Sequence, residues 1–205
     1  MAAPAPQRVG LLGGSFDPPH LGHLWMAREA RRHWQLDAVW LLPAFQPPHK
    51  AVVAPYADRA AMARLLAAAE PWLEVDESEA ARGGASYTLD TVRALKARHG
   101  PALQFALILG ADSLAELASW HEPEQLCAEI ELLVLAREGA APAASRWPHR
   151  LAASGLHPAQ SRLIRACLAA GRPTPWLPPN VAAYIAQAGL YRRRGAGDTH
   201  GEEAG

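Results

Sequence analysis

Cysteine is almost absent: the 205 residues contain two, Cys127 and Cys167, with no CxxC spacing. That argues against a disulfide framework and a cysteine-built zinc site, and for two reduced, buried thiols in a cytoplasmic protein. Excess charge of either sign is missing too, with 20 Lys plus Arg against 20 Asp plus Glu. A neutral chain has no long-range field to hold nucleic acid or an anionic membrane, so neither is expected as a partner, and any anion must be recognised locally. No apolar run approaches the ~18 residues that mark a membrane span. The opening "MAAPAPQ" lacks the apolar stretch of a secretory signal. What the chain has is apolar residues, 50% of the total, sufficient for one sizeable core.

Those residues fall in short runs separated by longer helical patterns. "RVGLL" (8–12), "AVWLLP" (38–43), "LEV" (73–75), "LQFALILG" (103–110) and "IELLVLA" (130–136) read as strands. Between them, "LGHLWMAREARRHW", "YADRAAMARLLAAA", "SYTLDTVRALKARHG" and "ADSLAELASW" read as helices. This cadence predicts an α/β fold, a Rossmann-like doubly wound parallel sheet. "SRLIRACLAAG" and "PNVAAYIAQAGLY" predict a small C-terminal helical lobe over 161–191, with Gly171 and Gly189 as C-terminal caps. The expected organisation is one domain over 8–191, with disordered ends at 1–7 and 192–205. Between Arg137 and Gln160 the Ala/Pro-rich composition shows no convincing strand.

The chemistry concentrates in "GGSFDPPHLGH", Gly13 to His23, directly after the first strand. Ligands of open α/β sheets bind beyond the C-terminal strand ends. Gly13 and Gly14 let backbone amides approach an anion, and Pro18 or Pro19 suits a first helical turn. His20 and His23 then share one face of that turn, where the helix dipole already favours negative charge. The arrangement suits a polyphosphate. An HxxH zinc site is the competing reading, but it lacks the glutamate of HExxH and a third ligand.

The stretch resembles the GxFxPxHxGH signature of the nucleotidyltransferase superfamily, whose fold relatives include the HIGH-motif aminoacyl-tRNA synthetases. More narrowly, "LLPAFQPPHK", "SYTLDT", "LILGADSLAELASWHEPEQL" and "LPPNVAAYIAQAGLY" are similar, in order, to stretches of the bacterial nicotinate-nucleotide adenylyltransferase family. The resemblance implies transfer of AMP from ATP to nicotinate mononucleotide, with Mg²⁺ held by ATP and water rather than by a protein metal site. It implies no covalent nucleophile, only positioning and charge stabilisation.

Carried onto this chain, the resemblance implies that His20 and His23 face the α-phosphate and phosphate chain. Gly13, Gly14, Ser15 and Phe16 would offer backbone contacts, and Lys50, stiffened by Pro47 and Pro48, would face phosphate. Asp112 would accept from a ribose hydroxyl unless it is merely a helix cap. Ser161 and Arg165 match the family's ATP-gripping ISSTxIR-like motif, while Gln160 and Arg162 replace its small hydroxyl residues; Arg162 could supply charge instead. On the mononucleotide side stand Ser15, Phe16, Lys50, Tyr87, Thr88, Trp120 and Arg137. Trp120 would stack on the pyridine ring, and the amides at Thr88, which also suits a cap, would receive the nicotinate carboxylate. Asp17 either orients the loop or caps the helix. The segment before Ser161 reads as shortened relative to the family. Alternatives are another small adenylyl- or cytidylyltransferase, such as one acting on phosphopantetheine, or a nucleotide binder without turnover. Oligomeric state is left open.

Overall fold

In the computed structural model the described residues are 7–48, 51–137, 145–155 and 157–192. In chain order the elements are β1 (Gln7–Gly14), α1 (Leu21–Trp34), β2 (Ala38–Pro43), α2 (Tyr56–Ala67), β3 (Leu73–Val75), α3 (Ser78–Arg82), α4 (Thr88–His99), β4 (Leu103–Gly110), α5 (Ala111–Glu116), α6 (Pro123–Glu129), β5 (Glu131–Arg137), β6 (Arg150–Ser154), α7 (Ser161–Ala169) and α8 (Pro179–Gln187). The six strands form one sheet in the order β3-β2-β1-β4-β5-β6, and every pairing is parallel. The order reverses between β1 and β4, which makes the C-terminal ends of those two strands the place for a ligand.

The apolar strands are continuous because helices cover both sheet faces. Successive side chains alternate between two cores. On one face Leu12, Val39, Leu41, Ala106, Ile108, Leu133 and Leu135 pack with α1, α2, α7 and α8, among them Leu24, Met62, Ile164 and Val181. On the other, Val9, Leu11, Leu42, Phe105, Leu107, Leu109, Leu132 and Val134 pack with α4, α5 and α6. The C-terminal helices thus share a core with α1 and α2.

Three expectations are corrected. A strand does follow Arg137: β6, with Leu133↔Arg150 and Arg137↔Ser154 in register with β5. Its sequence, "RLAAS", alternates exposed and buried residues as a sheet edge does, and short Ala-rich runs carry little strand signal. The short helices α3 and α6 also escaped the reading; five and seven residues are too few to show a period. The two cysteines are free, as expected, but half-buried rather than buried. The predicted C-terminal glycines do sit in left-handed backbone, at φ 64° for Gly171 and 65° for Gly189.

Candidate active site

β1 runs through Gly13 and Gly14, so the two glycines end a strand rather than form a turn. No positive φ is needed at either. A Cβ on Gly13 would meet nothing within 4 Å, while one on Gly14 would reach the Phe16 ring at 3.4 Å. The turn itself falls on Phe16, at φ 48°, whose ring is buried beside that of His23, centroids 4.9 Å apart. Phe16 can therefore meet a substrate only through its backbone; the amides of Ser15 and Phe16 have no partner among the described residues. Pro18 and Pro19 precede the helix instead of opening it, and the Asp17–Pro18 bond is cis.

His20 is the N-cap of α1, not a residue of its first turn. The Gly22 amide donates to His20 Nδ1 at 3.1 Å, and the His20 amide donates to His23 Nδ1 at 3.2 Å. This is a capping box built from two imidazoles. A Cβ on Gly22 would stand 2.9 Å from the His20 ring, which is why that position carries no side chain. Every amide of the first turn is spent internally, since Leu21 donates to the Trp176 carbonyl and His23 to that of His20. With these amides paired, the donors left at this helix start are on the imidazole rings. With each Nδ1 an acceptor, the neutral tautomer puts the proton on Nε2, and both rings present an Nε2–H. The centroids are 3.9 Å apart. Burial, reinforced by nearby His157, lowers His20 to about 4. Burial and then the two neighbouring imidazoles hold His23 well below its usual value. Both are neutral donors at pH 7.

Asp17 does not cap the helix. It is 1% exposed and its carboxylate accepts from the Val53 amide (2.7 Å), the Ala54 amide (3.1 Å) and the Tyr191 hydroxyl (2.7 Å). Arg59, also 1% exposed, donates to the carbonyls of Ser15 and Ala44 (2.7 Å each), Phe45 and Ala54 (3.2 Å each). One side chain thereby clamps the exits of β1 and β2 and the approach to α2. The sequence reading missed Arg59; its signal was a charge on the buried α2 stripe of Met62, Ala63 and Leu66. Burial lowers its guanidinium, with Asp17 opposing that shift.

α7 closes the histidine side. The Ser161 hydroxyl donates to the Pro18 carbonyl at 2.9 Å, and Arg165 donates to the Asp17 carbonyl at 2.5 Å. Both side chains hold the backbone of the histidine loop. The amides of Ser161, Arg162 and Leu163 find no partner among the described residues.

Of the residues expected on the mononucleotide side, Tyr87 and Thr88 lie at the start of α4. Ser86 and Gln46 exchange hydrogen bonds, tying the β2 exit to this helix start. Thr88 is the first residue of α4 and Tyr87 its N-cap, with no capping by the Tyr87 side chain; the first amides of α4 stay unpaired among the described residues. The Tyr87 ring stacks on His121, at 4.1 Å and 24°. Trp120, beside His121, is partly buried against the α4–α6 core. Asp112 is exposed in the first turn of α5, whose N-cap is Gly110, so its carboxylate is not used as a cap. Arg137 ends β5 opposite Ser154, though its side chain lies outside the described residues, as Lys50 does entirely. His121 and His157 were missed, because isolated histidines carry no local pattern.

Among the described residues no group of three His, Cys, Asp or Glu converges on a metal position. The donors at the histidine end are N–H groups, suited to phosphate oxygen rather than to a cation. A cavity of about 440 Å³ lined by Arg8, Lys96, Glu129 and Glu131 lies at the opposite, N-terminal strand ends, away from this chemistry. No described helix is long and apolar enough to cross a membrane.

Residues 11–169 match the family described as cytidylyltransferase-like. The chain is 39% identical to a Salinibacter ruber protein named "Probable nicotinate-nucleotide adenylyltransferase", over 90% of this chain and 97% of that one. It is 47% identical to an Exiguobacterium sibiricum protein of the same name, over 64% of this chain and 70% of that one. Its fold matches Plasmodium falciparum nicotinic acid mononucleotide adenylyltransferase complexed with NaAD, with a TM-score of 0.77 at 19% identity, covering 90% of this chain and 97% of that one. The chain therefore belongs to the cytidylyltransferase-like family and, within it, to the nicotinate-nucleotide adenylyltransferases.

Proposed function

We propose that the chain transfers the adenylyl group of ATP to nicotinate mononucleotide, giving nicotinate adenine dinucleotide and pyrophosphate. The 5′-phosphate oxygen of the mononucleotide attacks the α-phosphorus. The bond from that phosphorus to the bridging oxygen breaks, and pyrophosphate leaves with its electron pair. No side chain needs to form a covalent bond, so the protein's task is positioning and charge stabilisation. The observation that carries this reading is the imidazole pair, two rings 3.9 Å apart with each Nδ1 occupied by a backbone amide. Their Nε2–H groups are fixed before substrate arrives, which is the condition under which donors stabilise developing charge best.

His20 and His23 would donate to the α-phosphate and the leaving phosphates. Ser15 and Phe16 would offer their amides. At α7, its unpaired amides, with Ser161, Arg162 and Arg165, would complete the triphosphate side, and Asp112 would accept from a ribose hydroxyl. Mg²⁺, carried by ATP phosphates and water, would offset part of the triphosphate charge when bound. On the other side, Trp120 and Tyr87 would pack on the pyridine ring, and the unpaired amides at Thr88 would receive the nicotinate carboxylate; the amide form brings no such charge. Lys50 and Arg137 would lie toward the mononucleotide phosphate. We place the reaction in the cytoplasm, with the free thiols as support.

The test is pyrophosphate release from purified protein with ATP and Mg²⁺, offered nicotinate mononucleotide, nicotinamide mononucleotide or phosphopantetheine separately. Release with the nicotinate form well above the others is the expected result. Preference for phosphopantetheine, or no release from folded protein that binds ATP, would overturn it.

A further inference from the structure

His157 lies on the segment that brings the chain from β6 back to α7. The Ala159 amide donates to its Nδ1 at 3.2 Å, the same wiring found at His20 and His23. Its Nε2 therefore carries the proton in the neutral ring and has no partner among the described residues. The segment is pressed against the first turn of α1: the Ala159 carbonyl stands 3.3 Å from where a Cβ on Gly22 would be. The His157 ring is half-buried and faces Trp25 of α1, with centroids 6.2 Å apart. It is close enough that a charge on it would depress both His20 and His23. No described carboxylate pairs with it.

The donor supply on this side gives the position a use. The one hydroxyl in the first turn of α7, Ser161, is turned onto the Pro18 carbonyl, and its neighbours are Gln160 and Arg162. A triphosphate has more anionic oxygens than two imidazoles can satisfy. A third Nε2–H, held neutral and aimed by its own backbone, suits that deficit.

We propose that His157 is a third imidazole donor to the phosphate chain of the nucleotide, beside His20 and His23, a reading that rests on the adenylyl transfer above. Two substitutions separate this from a turn-forming role. In His157→Asn the side-chain oxygen still accepts from the amide two residues on, so the turn survives, while the NH2 group reaches only as far as the ring's Cδ2 and the donor at the Nε2 position is lost. In His157→Gln the longer amide restores a donor near Nε2 and gives up the turn bond.

Calorimetric titration of the three proteins with inorganic pyrophosphate reads the difference without turnover. H157N is expected to bind about tenfold more weakly, the loss of one hydrogen bond to a charged group. H157Q is expected to stay within about threefold of the parent. In steady state the KM for ATP should rise in H157N while that for nicotinate mononucleotide holds. Parent-like pyrophosphate binding by H157N would overturn the proposal. So would equal weakening in both variants, or an absence of pyrophosphate binding to the parent protein. If the parent binds pyrophosphate, the contrast holds and no acceptor is adenylylated, the phosphate-donor role stands and the adenylyl-transfer reading falls.

Discussion

At the histidine end, the first-turn amides of α1 are satisfied, both Nδ1 atoms are occupied, and Asp17 and Arg59 bind neighbouring backbone from inside. At the aromatic end, α4 begins without a side-chain cap, its first amides are unpaired among the described residues, and Tyr87 is half-exposed on His121. On the proposed function, the first region would meet charge that develops in a transition state, and the second would offer surfaces and amides to a ground-state ring and carboxylate. Interactions realised mainly in the transition state govern turnover, whereas uniform binding governs KM. The contrast therefore predicts that the two ends fail differently.

The largest effect is expected at the histidines. His20→Ala and His23→Ala should each lower kcat by at least about a hundredfold, the loss of one preorganised donor. Steady-state rates near the parent for both would erase the distinction between the ends. A smaller effect is expected from Trp120→Ala, where the KM for nicotinate mononucleotide should rise several-fold more than the KM for ATP. Equal increases in both would mean that Trp120 supports the core it partly packs against, not the ring.

The same contrast explains what was legible in the sequence. His20, Gly22 and His23 lie within four residues, so their chemistry is local and visible. The long strands were readable too, because burial on both faces makes them uniformly apolar. Arg59 and Asp17 were harder. Arg59 sits 44 positions from Ser15, and Asp17 174 positions from Tyr191, separations that no window spans. Composition hid β6, because an edge strand of "RLAAS" buries only alternate small residues. The wiring of the imidazoles was also out of reach. "HLGH" places both rings at a helix start, but only the folded structure shows that the Gly22 and His20 amides occupy the Nδ1 atoms and leave each Nε2 as the outward nitrogen.

His20 and His23 should be neutral Nε2–H donors fixed in advance of substrate. Long-range ¹⁵N–¹H correlation of the imidazoles in the free protein, followed from pH 7 to pH 4, tests it directly. Nε2–H tautomers are expected for both, with His20 unprotonated until pH approaches about 4. A histidine in the unfolded chain takes up its proton near 6.5, so the unfolded state binds more protons between those values. Stability present above 6.5 should then fall as pH drops toward 4 in the same samples. An Nδ1–H tautomer, or rings that protonate near 6.5, would contradict it.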